Sequence, residues 1–303
     1  MQSASDDRSE SSGKQVPLLL LLTSVSEFLL QPNNRVMPTS PKRKLTSETD
    51  LTHSKKLRQD TEAVSEPEDT EMATEVPIIN PYAAPDSYIN HEAAIAYWSS
   101  TPATVDGVLG GFPQVSRVDL QGSANFLAKL RRQSKQHSQG AKLSRVADCG
   151  AGIGRITRGF LSNVAEVVDI VEPVKAFTDQ IKDEKYVGKV YGVGLEKWQP
   201  EFKYDVVWNQ WCVGQLTDEQ LVAYLRSLPR CLTEGGWIVV KENLSNHHLG
   251  EDVFDDTDSS VTRTDVKFRQ LFEQANLRIV STELQKGFPK ALYPVRVYAL
   301  QAK

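Results

Sequence analysis

A chain of 303 residues that is 40% hydrophobic and 24% charged holds enough apolar material for one large domain or two small ones. Its formal net charge of -4 gives no global basic field, which argues against nonspecific binding to nucleic acid or membrane. Three cysteines, Cys149, Cys212 and Cys231, have no C-x-x-C spacing, which argues against a disulfide framework and a structural zinc site and fits a reducing compartment.

The first feature along the chain is an apolar run, Val16 to Leu30. It follows Asp6, Asp7 and Glu10, lacks an A-x-A cleavage signature and contains Glu27, so neither a signal peptide nor a bilayer span is expected. An untidy extension, or a start codon upstream of the natural Met37, is the plainer reading. Residues 1–84 as a whole read as a disordered extension, since the tract from Gln31 is rich in Pro, Ser, Thr, Glu and Lys and cannot offset its ordering entropy by burial. Within it, Pro41 to Leu45 (PKRKL) and Lys55 to Arg58 (KKLR) have the separation of a bipartite nuclear localisation signal; a solvated charge run is the alternative. Residence in nucleus and cytoplasm is the expectation.

Residues 85–303 form the predicted folded domain, in which strands and helices alternate as in an α/β fold with a mainly parallel sheet. A short strand from Leu143 meets a glycine-rich turn, and helical spacing follows through Ile156, Phe160 and Leu161. Val167 to Glu172 is a second strand, after which Pro173 should open a helix with Val174, Phe177 and Ile181 on one face. Tyr204 to Trp211 is a buried strand, and Thr217 with Gln220 spells a capping box for a helix carrying Leu221, Tyr224, Leu225 and Leu228. Trp237 to Asn243 is the next strand, followed by a helix with Phe268, Leu271, Phe272 and Ala275. The short link between the last two strands, Leu277 to Leu284 and Pro294 to Gln301, predicts an antiparallel edge.

Gly150, Gly152 and Gly154 let a ligand approach the backbone at the carboxyl end of the sheet. A dinucleotide fingerprint would need glycine where Arg155 stands. Glu172 ends the second strand and can accept hydrogen bonds from ribose hydroxyls. A nucleoside without a pyrophosphate, such as S-adenosylmethionine, fits both facts; a strand-end turn with an incidental acid is the alternative. The stretch EDVFDDTDSSVTR, Glu251 to Arg263, poses a separate question, because it crowds Asp252, Asp255, Asp256 and Asp258 together. The D-x-D-x-D-G pattern of a calcium loop is absent, so no metal is expected; an acidic solvated loop and helix cap remains an alternative to a cation-binding role.

Five segments, DCGAGIGRIT (Asp148 to Thr157), YWSSTPATVDGVLGGF (Tyr97 to Phe112), WNQWCVGQLTD (Trp208 to Asp218), KEN (Lys241 to Asn243) and DDTDSSVTR (Asp255 to Arg263), together resemble the protein α-N-terminal methyltransferases. The resemblance covers nearly all of the folded region. It implies a seven-stranded Rossmann-like methyltransferase sheet, mainly parallel with an antiparallel edge strand, plus N-terminal helical substrate-binding elements. It also implies the substrate: protein N-termini that read X-Pro-Lys or X-Pro-Arg after Met removal, among them ribosomal and chromatin proteins. Their terminal amine takes up to three methyl groups, or two on proline, from S-adenosylmethionine.

On that resemblance the cofactor site would comprise Gly150, Gly152, Arg155, Glu172 at the ribose, Leu195 and Glu196 beside the adenine, and Gln210 near the methionine end. Methyl transfer needs a neutral amine, whereas an α-amino group with a pKa of about 7.7 to 8.0 is mostly protonated at neutral pH. Asp258 is the candidate proton acceptor and Asn243 the holder of the first peptide unit. Asp255, with Ser260, would pair with the Lys or Arg at the third position by charge-assisted hydrogen bonds. Trp98, Leu109, Val115, Trp211, Leu292 and Tyr293 would line the channel and grip the proline, although a tryptophan such as Trp98 is more often core. Two positions depart from the family: Gln215 replaces a histidine proposed as a second base, and Ala291 replaces an acid. His247 and His248 could substitute for that base or simply be surface histidines. A methyltransferase fold that binds N-termini without catalysis is the competing class.

Overall fold

The computed structural model describes residues 83–137 and 140–303. The apolar run and the basic clusters of the N-terminal tract lie outside the described residues.

In chain order the elements are α1 (His91–Ser100), α2 (Val105–Val108), α3 (Ser116–Gln133), β1 (Leu143–Cys149), α4 (Ser162–Val164), β2 (Ala165–Val171), α5 (Lys175–Thr178) and β3 (Val187–Tyr191). They continue with β4 (Tyr204–Gln210), α6 (Asp218–Ser227), β5 (Leu232–Asn243), β6 (Val253–Asp255), β7 (Ser260–Thr262), α7 (Asp265–Gln274), β8 (Leu277–Leu284) and β9 (Val295–Ala302). Seven strands form one sheet in the order β3-β2-β1-β4-β5-β9-β8. The pairs β2–β3, β1–β2, β1–β4 and β4–β5 are parallel. The antiparallel pairing predicted for the last two strands closes one edge; β9 is the reversed strand, inserted between β5 and β8 and antiparallel to both. Strand order reverses between β1 and β4, which opens a crevice at their carboxyl ends.

Helices cover both faces of the sheet, so the central strand β4 is buried at all seven positions. On one face Leu221 and Leu225 of α6 and Phe268 and Phe272 of α7 pack on Val207, Ile238 and Tyr298. On the other, Phe126, Leu127 and Leu130 of α3 pack with Phe160 on Val146, Val168 and Trp208. The Thr217 capping box is present as its sequence spells it, with both reciprocal hydrogen bonds.

Local structure departs from the sequence pattern in three places. The helix after the glycine turn carries a π-turn at Thr157–Leu161. The helix expected to open on Pro173 is only α5, Lys175–Thr178, because Val174 sits at its N-cap in an extended conformation while its N–H is held by Glu172 Oε1 at 2.8 Å. Val174, Phe177 and Ile181 are nevertheless all buried, as the apolar spacing required. The acidic stretch is a β-hairpin, β6–β7, with Asp255 opposite Ser260 and Ser259 in the left-handed region at φ 57°.

Candidate active site

The chain leaves β1 through a turn in which Gly150, Gly152 and Gly154 all have positive φ. At Gly152 an added Cβ would meet nothing within 4 Å, whereas at Gly154 it would meet Ile181 Cδ1 at 1.8 Å. Gly152 thus leaves space for a ligand, and Gly154 lets Ile181, beyond α5, pack closely on the turn. Glu172, buried at the end of β2, clamps this turn: its Oε2 accepts from Gly152 N–H at 2.9 Å and its Oε1 from Val174 N–H. Burial pushes its carboxyl up, and the two backbone donors oppose that shift. Each oxygen keeps a lone pair for a further donor.

The turn opens into a cavity at the reversal of strand order. All seven residues expected at the cofactor, Gly150, Gly152, Arg155, Glu172, Leu195, Glu196 and Gln210, line this one cavity. Below it Asp148 accepts from Thr157 Oγ1 at 2.5 Å, and burial pushes its carboxyl up to about 7. The residues present fit a nucleoside that carries an amino acid with a free carboxylate: a paired-oxygen acceptor at Glu172, an open cradle at Gly152, apolar walls at Leu195 and Phe177, and a guanidinium at Arg155.

Arg155 and Gln210 are held by Asp119 of α3, a buried residue that sequence reasoning missed. Arg155 Nη1 donates to Asp119 Oδ2 at 2.7 Å, and Gln210 Nε2 lies 2.9 and 2.8 Å from its two oxygens. Trp208 Nε1 donates to Gln210 Oε1, which fixes the amide's orientation. An acid inside a helix, separated by 36 positions from its arginine, leaves no local signal.

Trp98, Leu109, Trp211 and Gln215 line the same cavity. Trp98 also packs on Ile153, Val174 and Phe177, so the core and site readings both hold for it. Trp211 takes φ 54°, rare for a bulky residue, and its buried Nε1 has no hydrogen-bond partner among the described residues. Its backbone is set by Glu242, whose buried carboxylate accepts from Cys212 N–H at 2.8 Å and Val213 N–H at 3.0 Å. Burial pushes that carboxyl up to about 7.

Gln215 connects the cavity to the acidic hairpin. In one amide orientation its Nε2 is 3.5 Å from Asp258 Oδ2; turned over, it donates to the carbonyls of Asp258 at 3.1 Å and Ser259 at 3.3 Å. The second orientation makes two hydrogen bonds within normal range and is the better one. Asp258 Oδ1 accepts from Ser260 Oγ at 2.6 Å, so Ser260 serves Asp258, although in the hairpin it stands opposite Asp255. Burial pushes the Asp258 carboxyl up to about 6; Ser260 opposes this and Asp255 adds to it. Tyr97, also missed, stands near both acids: its phenol is raised by burial, then by Asp258 and Asp255. Tyr293 is raised by burial and by Asp255.

Long-range ties assemble this wall. Ser259 Oγ accepts from the backbone N–H of Asn90, the N-cap of α1, at 2.7 Å, and Tyr88 packs on Phe254 with ring centroids 5.5 Å apart. The helix that carries Tyr97 and Trp98 is thereby latched to the hairpin that carries Asp255 and Asp258. Asn243 ends β5 opposite Val295, and its side-chain amide makes no hydrogen bond among the described residues. Val115 is buried and does not line the cavity, nor do Asn243, Asp255, Asp258, Ser260, Leu292, Tyr293, His247 or His248. His247 and His248 lie against each other in a tilted arrangement, ring centroids 4.5 Å apart.

Comparison with known proteins places the chain in a family. A family model described as "AdoMet dependent proline di-methyltransferase" matches residues 86–301. The "Alpha N-terminal protein methyltransferase 1" of Schizosaccharomyces pombe is 45% identical over 213 residues, covering 68% of this chain and 94% of that protein. The Xenopus laevis "N-terminal Xaa-Pro-Lys N-methyltransferase 1-A" is 39% identical over 211 residues, covering 68% and 92%. Among solved structures, a SAM-dependent methyltransferase of Leishmania major matches with a TM-score of 0.63 at 37% identity, over 70% of this chain and 82% of that one.

Proposed function

Because the chain belongs to the family of AdoMet-dependent protein α-N-terminal methyltransferases, we propose that it methylates the α-amino group of protein N-termini reading X-Pro-Lys or X-Pro-Arg. The observation that carries this reading is the hairpin pair Asp255 and Asp258, joined through Gln215 to the cavity that holds the glycine cradle. The substrate's terminus offers two cations, and the hairpin offers two carboxylates to meet them.

Bound S-adenosylmethionine supplies an electrophilic methyl group on a sulfonium, open to in-line displacement by a neutral amine. This chain's residues then have four tasks. Glu172 and the glycine turn seat the nucleoside, and Arg155 meets the carboxylate. Tyr97, Trp98 and Trp211 bound the channel and exclude water around the proline. Asp258 accepts the proton the amine must lose, and Asn243 holds the first peptide unit with its unpartnered amide. Asp255 meets the basic side chain at the third position. Ribosomal and chromatin proteins as substrates, and residence in nucleus and cytoplasm, belong to the same proposal; they are supported by the family resemblance and by the basic clusters at Lys42 to Lys44 and Lys55 to Arg58.

The test is transfer of labelled methyl to an X-Pro-Lys peptide with a free or an acetylated terminus. Transfer to the free amine alone is expected, in up to three steps, or two where the first residue is proline. Methylation of the blocked peptide would reject the α-amine as acceptor. Cofactor binding with no turnover on any free-amine peptide would favour a non-catalytic binding protein.

Two substitutions separate the roles within the hairpin wall. Asp255→Asn should raise KM for X-Pro-Lys peptides by roughly tenfold or more, with kcat little changed, since a charge-assisted hydrogen bond contributes about 1.5 to 3 kcal/mol. A fall in kcat of the same size would place Asp255 in the chemistry instead. Gln215→His restores the family's residue, yet Gln215 already serves the hairpin by bonding the carbonyls of Asp258 and Ser259. The expected rate is therefore within about threefold of the parent, with no new acid limb near the histidine reference pKa of about 6.5. A gain above tenfold together with such a limb would show that a second base had been lost.

A further inference from the structure

A lysine in the interior is costly unless its charge is matched, and Lys241 on β5 is fully buried. Its Nζ donates to Asp119 Oδ1 at 2.5 Å, Ser123 Oγ at 2.9 Å, Gln285 Oε1 at 2.9 Å and the Asp119 backbone oxygen at 3.2 Å. Four acceptors surround three N–H donors; burial pulls the Lys241 ammonium below the usual lysine range, and the contact with Asp119 opposes that shift. The helix α3 is shaped to allow this. At Gly122 a Cβ would lie 2.2 Å from Gln285 Oε1, so the glycine, which costs a helix interior about 1 kcal/mol relative to alanine, leaves room for that side chain.

The charges around Asp119 do not balance. Two cations, Arg155 and Lys241, share one carboxylate, with Arg155 on Oδ2 and Lys241 on Oδ1. Neither forms an ion pair with any other acid among the described residues. Asp148 feels Arg155, but it bonds Thr157 and is pushed up to about 7 by burial, so it does not supply a full second negative charge. The cluster therefore keeps surplus positive charge, and its member on the cavity wall is Arg155. The remaining donors of that guanidinium make no hydrogen bond among the described residues. If Asp119 had Arg155 alone as its cation, the pair would be neutral and the cavity would lose its field for an anion.

We propose that Lys241 is a positioning residue for cofactor recognition: by engaging Asp119 from behind, it leaves Arg155 with an uncancelled positive charge and free donors for the cofactor's α-carboxylate. The inference rests on the reading that the cavity takes S-adenosylmethionine. It assigns Lys241, Asp119 and Gln285 a part in affinity although none of them lines the cavity.

The test compares two ligands by calorimetry on the full chain. S-Adenosylhomocysteine carries the carboxylate; 5′-methylthioadenosine has the same nucleoside and sulfur without the amino-acid tail. Lys241→Met removes the charge, keeps most of the volume and leaves Asp119 paired with Arg155. The Kd for S-adenosylhomocysteine should rise about tenfold, equivalent to about 1.4 kcal/mol, while that for methylthioadenosine moves less than twofold. Equal weakening of both would mean that Lys241 only supports the fold, and the proposal would fall. In an Arg155→Gln background Lys241→Met should add less than twofold, because Lys241 acts through Arg155; a full additional tenfold would also overturn it. If circular dichroism shows that Lys241→Met does not fold, Lys241→Gln is put to the same comparison. A parent that binds neither ligand would sink the cofactor reading itself. A parent that binds both, with a ratio the variant leaves unmoved, would sink only this inference.

Discussion

Asp258→Asn should lower kcat by about 10² or more while leaving affinity for S-adenosylhomocysteine unchanged, the signature of losing a general base. The α-amine to be methylated has a reference pKa of about 7.7 to 8.0, and an ordinary aspartate lies about four units below it. Burial in the hairpin wall, aided by Asp255, pushes Asp258 up to about 6 and narrows that gap to about two units. Proton transfer from ammonium to carboxylate is then uphill by about 2.7 kcal/mol instead of about 5. Ser260 holds the accepting group in place through Oδ1 and leaves Oδ2 available. In the parent, kcat/KM should fall below about pH 6 as Asp258 of the free enzyme protonates; in the variant that limb should vanish. A limb that survives the substitution would assign it to another group.

The same substitution should stabilise the protein. A carboxyl whose folded pKa is raised from 3.8 to about 6 disfavours the folded state once it is ionised. Asp258→Asn should therefore gain up to about 3 kcal/mol above pH 6, with the gain shrinking as pH falls from 6 toward 4 and vanishing below that. Thermal melts at pH 8 and pH 4 measure this. A variant that is less stable at pH 8 would show that the charged form of Asp258 is favourably held.

Glu172→Ala should weaken S-adenosylhomocysteine binding by about 10². Two hydrogen bonds to a charged acceptor contribute about 3 kcal/mol or more together, and the glycine turn loses its clamp as well. Glu172→Gln should not rescue it fully. Both carboxylate oxygens face backbone N–H groups, Gly152 at 2.9 Å and Val174 at 2.8 Å, so an amide NH2 in either place would set donor against donor. Titration calorimetry reads the affinities, and an unchanged melt without ligand separates lost contacts from lost folding. A Kd within threefold of the parent for Glu172→Ala would remove Glu172 from the nucleoside site.

Much of this molecule is written in local chemistry. Short apolar runs within β1, β2, β4 and β5 place those strands, because strand segments covered on both faces favour apolar residues. The Thr217 box starts α6 through hydrogen bonds that close within four residues. The glycines mark the cradle because only they take positive φ freely. The family motifs locate both the cofactor end and the hairpin acids. The long helix α3 was invisible to periodicity because Asp119 and Ser123 occupy positions on its inner face where apolar residues would signal a helix. What those two residues are for depends on Lys241, 122 and 118 positions away, whose buried charge they match. The pairing of Ser260 with Asp258, the approach of Tyr97 to both acids and the latch from Asn90 to Ser259 likewise arise only when distant segments meet. Local sequence determined where the backbone is extended, coiled or sharply turned, since those preferences act within a few residues. The tertiary fold alone decided which charges are compensated, which carboxyl is raised and which donors stay free, since burial and Coulomb interactions depend on neighbours in space.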